Sequence, residues 1–498
     1  MRRRRFLRLA ALGTAFAGTL GSVDGSERRR ARAAVVAQED SRIREISHLI
    51  EAKMLEYRVP GVAFGLVKDG DVSMRGFGVT NLERPQPVTP RTVFPIASIS
   101  KTVTATAMLV LHDRGLVDIE APVTEYIPNF RIADERATES LRIWHLLTHT
   151  VGWEGQLAAP DRGPATLSYF IGSLRVLPAL ASPGEVWGYN NAAWAVAGGV
   201  IEVVARRPIN DALRELVFEP LGLDHAFSRA EEAVRHPFAA AHQVIGDRTL
   251  VGGSLQLPTN VPAGGCATSL ESLIGYARFH LGDGRVPSGE RLLTEASLSA
   301  MRAPRFRKNS STDEMGLGWH LRTLDGVLTA QHGGTLPGHS LHLQLVPERA
   351  LCFAILTNSG GTASNSGGWR LNEDVAAALL ELYEGISLAP NQRTGGNRGG
   401  NERMHLHAQP LETQPPLDEL LGVYDREPFG RMLVRDVAGR PLIGTADAEF
   451  DIVFYAPDMA YATSEGPDSY EGMPIEFIRD AGGRVGWIRV DGRIARKV

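Results

Sequence analysis

The chain has 498 residues, 43% of them hydrophobic and 22% charged, with a net charge of −4. These proportions exclude wholesale disorder, and the balance of charge leaves no basic footprint for nucleic acid. Two cysteines exclude a disulfide framework and any multi-cysteine metal centre; Cys266 and Cys352 are expected as buried free thiols, with pairing as the alternative.

The N-terminus has the layout of an export leader. Arg2–Arg5 form a basic run, and Leu9–Leu20 is apolar but too short for a membrane span. Arg3-Arg4-Arg5-Phe6-Leu7-Arg8 is similar to a twin-arginine export motif, without the serine or threonine usual before the pair. Cleavage after Ala31-Arg32-Ala33 would remove nine arginines and two acidic residues, moving the net charge from −4 to −11. Residues 1–33 are therefore assigned as a leader and the protein as extracytoplasmic, in contact with a membrane only if the leader is retained. The alternative is a disordered basic tail on a cytoplasmic protein.

Residues 41–57 predict an amphipathic helix with Ile43, Ile46, Ile50 and Leu55 on one side, ended by Pro60-Gly61. Two β-like runs follow, 62–67 and 72–79, with a hairpin signal at Lys68-Asp69-Gly70-Asp71. From about 98 to 280 the pattern is helical. Its clearest helix, Ser98–Arg114, stops at Gly115. Residues 316–330 and 339–357 return to β character, and Leu371–Tyr383 predicts a helix. Strands at both ends with helices between them suggest one sheet built from both ends of the chain, over 41–385. Residues 386–414, rich in Gly, Asn and Arg, predict a flexible linker. Short β-like runs at 432–434, 450–455, 474–478 and 485–490 predict a small β domain over 415–498.

Several common catalytic signals are missing from the sequence: Gly-x-Ser-x-Gly, His-Glu-x-x-His and Gly-x-x-x-x-Gly-Lys. His145 and His149 are spaced to share a helix face as metal ligands can, but no clear third ligand is near, so both are expected to be structural. No metal and no cofactor are expected. Lysine is scarce, with five among 53 basic residues, which gives Ser98-Ile99-Ser100-Lys101 weight as the chain's one Ser-x-x-Lys. At i and i+3 of a helix the two side chains are neighbours. A serine is a weak nucleophile until a base takes its proton, and lysine is such a base only when burial or nearby positive charge keeps it neutral. An ordinary exposed serine–lysine pair is the bland alternative.

With its surroundings, this stretch resembles the serine β-lactamase and penicillin-binding-protein superfamily, closest to the class C-like branch of esterases, D-aminopeptidases and D-alanyl-D-alanine carboxypeptidases. The resemblance covers about 42–385. It rests on an ordered set: Val59-Pro60-Gly61 with Lys68-Asp69-Gly70, Phe94 through Lys101, Leu116-Val117-Asp118, His145 through Gly152, Tyr189-Asn190-Asn191, Gly264-Gly265, Met315 through Trp319, and His332-Gly333-Gly334. Val151 stands where the branch has serine.

The resemblance implies an α+β fold, with an antiparallel sheet flanked by helices, a helical subdomain and a small C-terminal β domain. It implies a serine hydrolase working through an acyl-enzyme on Ser98, and the leader adds that it is secreted. Lys101 would be the activating base and Tyr189 a proton shuttle to the leaving group. Asn191 would hold Lys101 and a substrate carbonyl, and the backbone N–H groups of Ser98 and Thr335 would form the oxyanion site. Gly333 and Gly334 would let a substrate backbone approach the strand. The departure is His332, where the best-known relatives carry lysine. A histidine is mostly neutral at pH 7, which weakens a carboxylate-anchored substrate and favours an esterase or peptidase over a β-lactamase or D-alanyl-D-alanine carboxypeptidase. Expected substrates are small esters, amides or short D-amino-acid peptides. A non-catalytic penicillin-binding sensor is the alternative of a different class.

Overall fold

In the computed structural model the described residues are 25–155, 159, 161–245, 248–252, 255–308, 313–360, 366–388, 410–444, 448–463 and 473–498. The chain divides into two compact units, residues 1–49 and 50–498. Of the leader, residues 1–24 lie outside the described residues, as do residues 389–409 of the expected linker. No described helix is long and apolar enough to cross a membrane.

One helix covers Gly25–Tyr57. Within the second unit its residue Ile50 is buried, but Leu55 is 84% exposed, against the expected shared face. Five residues along a helix turn a side chain well away from its predecessor, so Leu55 does not belong with Ile50.

The expected sheet from both ends of the chain is present. Eight antiparallel strands run in the spatial order Asp71–Gly78, Gly61–Lys68, Leu351–Thr357, His339–Val346, Val327–Leu336, His320–Leu324, Glu314–Met315 and Phe306–Arg307. The first hairpin turns at Asp69 and Gly70, with φ of +51° and +91°. Two residues at positive φ make a turn whose twist matches the flanking strands. Strand Gly61–Lys68 is buried along nearly its whole length, as a continuous apolar run covered on both faces requires. Helices Leu270–Leu281 and Gly367–Glu384 pack on the sheet, and Ser100–Asp113, Ile143–Thr148, Thr166–Ser173 and Asn191–Ala205 form the helical part. Gly115 follows the helix at Ser100–Asp113 with φ +69°, the stop its position predicts.

The C-terminal β region is a closed antiparallel barrel of eight strands, from Gly422–Asp425 to Arg493–Lys497, which pair to close it. Its interior is packed with Tyr424, Met432, Val434, Phe454, Phe477 and Ile488, as eight strands give room for side chains. Cys266 and Cys352 are buried free thiols, as expected.

Candidate active site

Ser98 sits in a single 3-10 turn, Ala97–Ile99, that runs straight into helix Ser100–Asp113. Ala97, just before it, has φ +47°, a region that costs an L-residue energy and persists only where neighbours enforce it. They do here. Ser100 Oγ donates to the Ala97 carbonyl at 2.6 Å and accepts the Cys266 N–H at 3.0 Å, while Ile96 N–H donates to the Cys266 carbonyl at 2.9 Å. The result is a braced turn that presents Ser98, 9% exposed, at the start of a buried helix.

Two side chains converge on the Ser98 hydroxyl. Lys101 Nζ lies 3.1 Å from Ser98 Oγ and Tyr189 Oη lies 2.9 Å from it. Lys101 is completely buried, and burial, with the nearby Arg493 as the second cause, holds its ammonium pKa well below the ordinary lysine range. A neutral amine has two N–H groups and one lone pair. Lys101 Nζ donates to the Ala263 carbonyl at 2.6 Å, which leaves its other N–H and its lone pair for exchange with Ser98 Oγ.

The loop that carries Tyr189 is fixed from two sides. His149 caps helix Ile143–Thr148 with φ +60°, so it lies past the helix end and does not share a helical face with His145. Its ring stacks on the Tyr189 ring at 4.3 Å. Its Nδ1 accepts the Asn190 N–H at 2.9 Å and its carbonyl accepts the Gly188 N–H at 3.0 Å. Burial pushes its pKa well down, so it works as a neutral prop. His145 Nδ1 accepts the Arg142 N–H at 2.9 Å. No group of three or more His, Cys, Asp or Glu among the described residues is arranged to hold a metal ion.

The other side is the barrel. Tyr189 N–H donates to the Gly492 carbonyl at 2.9 Å, and Arg493 Nη1 donates to the Tyr189 carbonyl. The Arg493 guanidinium lies 5.1 Å from the Tyr189 ring centre. Further along the loop, Arg489 Nη1 donates to the Trp187 carbonyl at 3.2 Å and Trp487 Nε1 to the Leu180 carbonyl at 2.7 Å.

Asn190 caps helix Asn191–Ala205 by accepting the Ala193 N–H at 2.8 Å, which sets Asn191 as its first residue. The Asn191 carbonyl accepts from Asn260 Nδ2 at 3.0 Å. His332, Gly334 and Thr335 lie on strand Val327–Leu336. His332 is fully buried, its Nδ1 2.8 Å from the Gly333 carbonyl, and burial together with Lys101 pulls its pKa down to about 3. It is therefore neutral at pH 7 by a wider margin than an exposed histidine. A Cβ at Gly334 would stand 2.4 Å from the Ile96 carbonyl oxygen. The approach this glycine permits is that of the nucleophile's own turn, and Thr335 follows immediately along the strand.

Sequence reasoning missed Ala263, the His149 stack and the Gly492–Arg493 contact. Two of these act through backbone carbonyls, which any residue carries. Arg493 stands 304 positions from Tyr189 in sequence.

Comparison with known proteins bears on the family and the fold. The beta-lactamase family model matches residues 46–377. Penicillin-binding protein 4 of Amycolatopsis lactamdurans is 30% identical over 386 residues, 76% of this chain and 96% of that protein. The unguisins hydrolase ungD' of Aspergillus campestris is 24% identical, over 71% of this chain and 67% of its own length. Among solved structures, SurE superposes with a TM-score of 0.75 at 24% identity, over 92% of this chain and all of that one. The penicillin-binding protein homologue of Pyrococcus abyssi superposes with a TM-score of 0.60 at 20% identity, over 91% and 100%. The chain belongs to the beta-lactamase family, on the serine-hydrolase fold shared with penicillin-binding proteins.

Proposed function

We infer that the protein is a serine hydrolase that forms an acyl-enzyme on Ser98, acting on small esters, amides or short D-amino-acid peptides. The observation that carries this reading is the convergence of Lys101 Nζ and Tyr189 Oη on Ser98 Oγ at 3.1 and 2.9 Å, with Lys101 buried. Neutral Lys101 takes the Ser98 proton as Oγ attacks the substrate carbonyl. The tetrahedral oxyanion is met by the backbone N–H groups of Ser98 and Thr335. Tyr189 relays the proton to the leaving group, and water then releases the acyl group by the reverse relay.

Neutral, buried His332 supports an ester or peptide substrate over one anchored by a carboxylate. A cavity of about 500 Å³, lined by Leu250, Val251, Leu255, Leu257, Leu336 and Pro337 among others, supports an apolar acyl group. Leu336 is two residues beyond Gly334, hence on the face of the strand that meets the Ile96–Ala97 turn. Among the described lining residues the one titratable group is His339, buried with its pKa lowered to about 4 and so neutral at pH 7. Among relatives, EstCE1 is described as a hydrolase with promiscuous acyltransferase activity, and SurE was solved with D-Leu. We place the protein outside the cytoplasm on the strength of residues 3–8. A second reading, covalent capture of β-lactams without turnover, is favoured by the 30% identity to a penicillin-binding protein.

The test is intact-mass measurement after p-nitrophenyl hexanoate, beside a fluorescent penicillin. The expected result is a transient adduct on the peptide containing Ser98, absent in Ser98→Ala, with weak penicillin labelling. A stable penicillin adduct without ester turnover would select the capture reading. An ester adduct that survives in Ser98→Ala would contradict both.

A further inference from the structure

The tip of the last barrel hairpin, Val490 to Arg493, lies against the residue that shares the nucleophile's hydroxyl. Both Tyr189 backbone groups are engaged by it, the N–H by Gly492 and the carbonyl by Arg493. The contact is built rather than incidental. Ile494 sits so close to Gly188 that a Cβ there would meet its Cγ2 at 3.0 Å, and Leu180, Val186, Trp487 and Ile494 bury one another in a shared cluster. Arg493 lies 5.1 Å and Lys101 Nζ 5.0 Å from the centre of the same Tyr189 ring. One fixed cation and one titratable amine therefore share the phenol between them.

We propose that Arg493 is a positioning residue for the reaction at Ser98: it clamps Tyr189 against the nucleophile and supplies the fixed positive charge beside the proton acceptor. The proposal rests on the Ser98 acyl-enzyme reading. Its physical logic is that a permanent cation nearby disfavours a second positive charge on Lys101, while the fork of Arg493 holds the Tyr189 carbonyl. The other charged or titratable groups around the ring have different duties. His149 is its stacked, neutral prop, and His320 and His332 are buried and neutral, their rings 5.0 Å apart. Lys308 bonds His320 Nδ1 at 2.9 Å, and Arg489 is ion-paired with Glu476. Lys308 has its pKa lowered to about 8 by burial and would titrate in the same range, so it needs its own control.

The experiment measures kcat/KM for p-nitrophenyl acetate from about pH 5 to 10 in full-length wild type, Arg493→Gln, Arg493→Lys and Lys308→Met, with thermal midpoints for each. Activity needs neutral Lys101, so it is lost as pH falls through the Lys101 pKa. Removing the cation raises that pKa, and the acid limb of Arg493→Gln should move up by on the order of one pH unit. Arg493→Lys keeps the charge but loses the fork, so its limb should stay in place while kcat falls severalfold. The limb of Lys308→Met should stay with wild type. A uniform rate loss in Arg493→Gln with an unmoved limb would overturn the proposal and leave Arg493 a structural prop. If Arg493→Gln does not fold, a displaced limb in Arg493→Lys would overturn it instead. A Ser98-dependent burst in wild type keeps the two readings separable, because its absence would overturn the acyl-enzyme reading and this inference with it.

Discussion

The two β regions of this molecule reach the same nucleophile by different means. The eight-stranded sheet contributes side chains and the lack of one: His332 is buried in strand Val327–Leu336, and Gly334 is bare so that the Ile96–Ala97 turn can lie against it. The barrel instead grips the backbone of the loop that carries Tyr189. Gly492 offers a carbonyl, and Trp487, Arg489 and Arg493 each grip a carbonyl of the segment that leads to Tyr189. A sheet that carries chemistry leaves residue types at fixed places in the sequence. A barrel that aligns another domain's loop leaves almost none.

The sharpest way to break this contrast is at the nucleophile itself, on the helix Ser100–Asp113 and the strand beside it. Lys101→Ala should lose about 100- to 10,000-fold in kcat while far-UV circular dichroism is retained, because the amine moves a proton. Loss of the fold would show that Lys101 is a packing residue. Gly334→Val should come next. Its Cβ would overlap the Ile96 carbonyl at 2.4 Å, so the turn must shift and the Ser98–Lys101 alignment with it. A loss of about 100-fold in kcat with little change in the secondary-structure spectrum is expected, since a 1 Å displacement can have that effect.

At the barrel end the expected effects are smaller. Trp487→Phe removes the donor to the buried Leu180 carbonyl and should lower unfolding free energy by about 1–3 kcal/mol in denaturant titration. Its kcat should fall more than its KM rises, because Tyr189 loosens while the substrate surface is untouched. An equal change in both would argue that the barrel acts only through stability.

A pH titration of stability separates the regions again. His145, His280, His332 and His339 are held by burial at pKa values of about 4, 3, 3 and 4. Each is depressed below its unfolded value, so the unfolded chain binds more protons as pH drops below about 6.5, and stability falls from there toward pH 3–4. The unfolding midpoint should therefore decline between pH 7 and 4. Leu433→Gln, on an outward barrel position 42% exposed, should change stability by less than about 0.5 kcal/mol.

How much the sequence disclosed follows from the same physics. Ser98 and Lys101 were legible because acyl transfer needs a nucleophile beside a base and a helix puts i and i+3 together. The hairpin at Asp69-Gly70 and the stop at Gly115 were legible because few residues accept positive φ. Strands of the barrel showed as short β-like runs, although its closure did not, since closure depends on pairing 422–425 with 493–497 across the whole domain. His149 looked like one of a spaced pair, and only its position past the helix end reveals the stack on Tyr189. Ala263 and Gly492 were hidden because their carbonyls are common to every residue.

The most direct test of the central claim is stopped-flow hydrolysis of p-nitrophenyl acetate by wild type and Ser98→Ala. The account predicts a burst of about one p-nitrophenolate per chain in wild type, followed by slower turnover, and no burst in the variant. A burst of equal size in Ser98→Ala would contradict it.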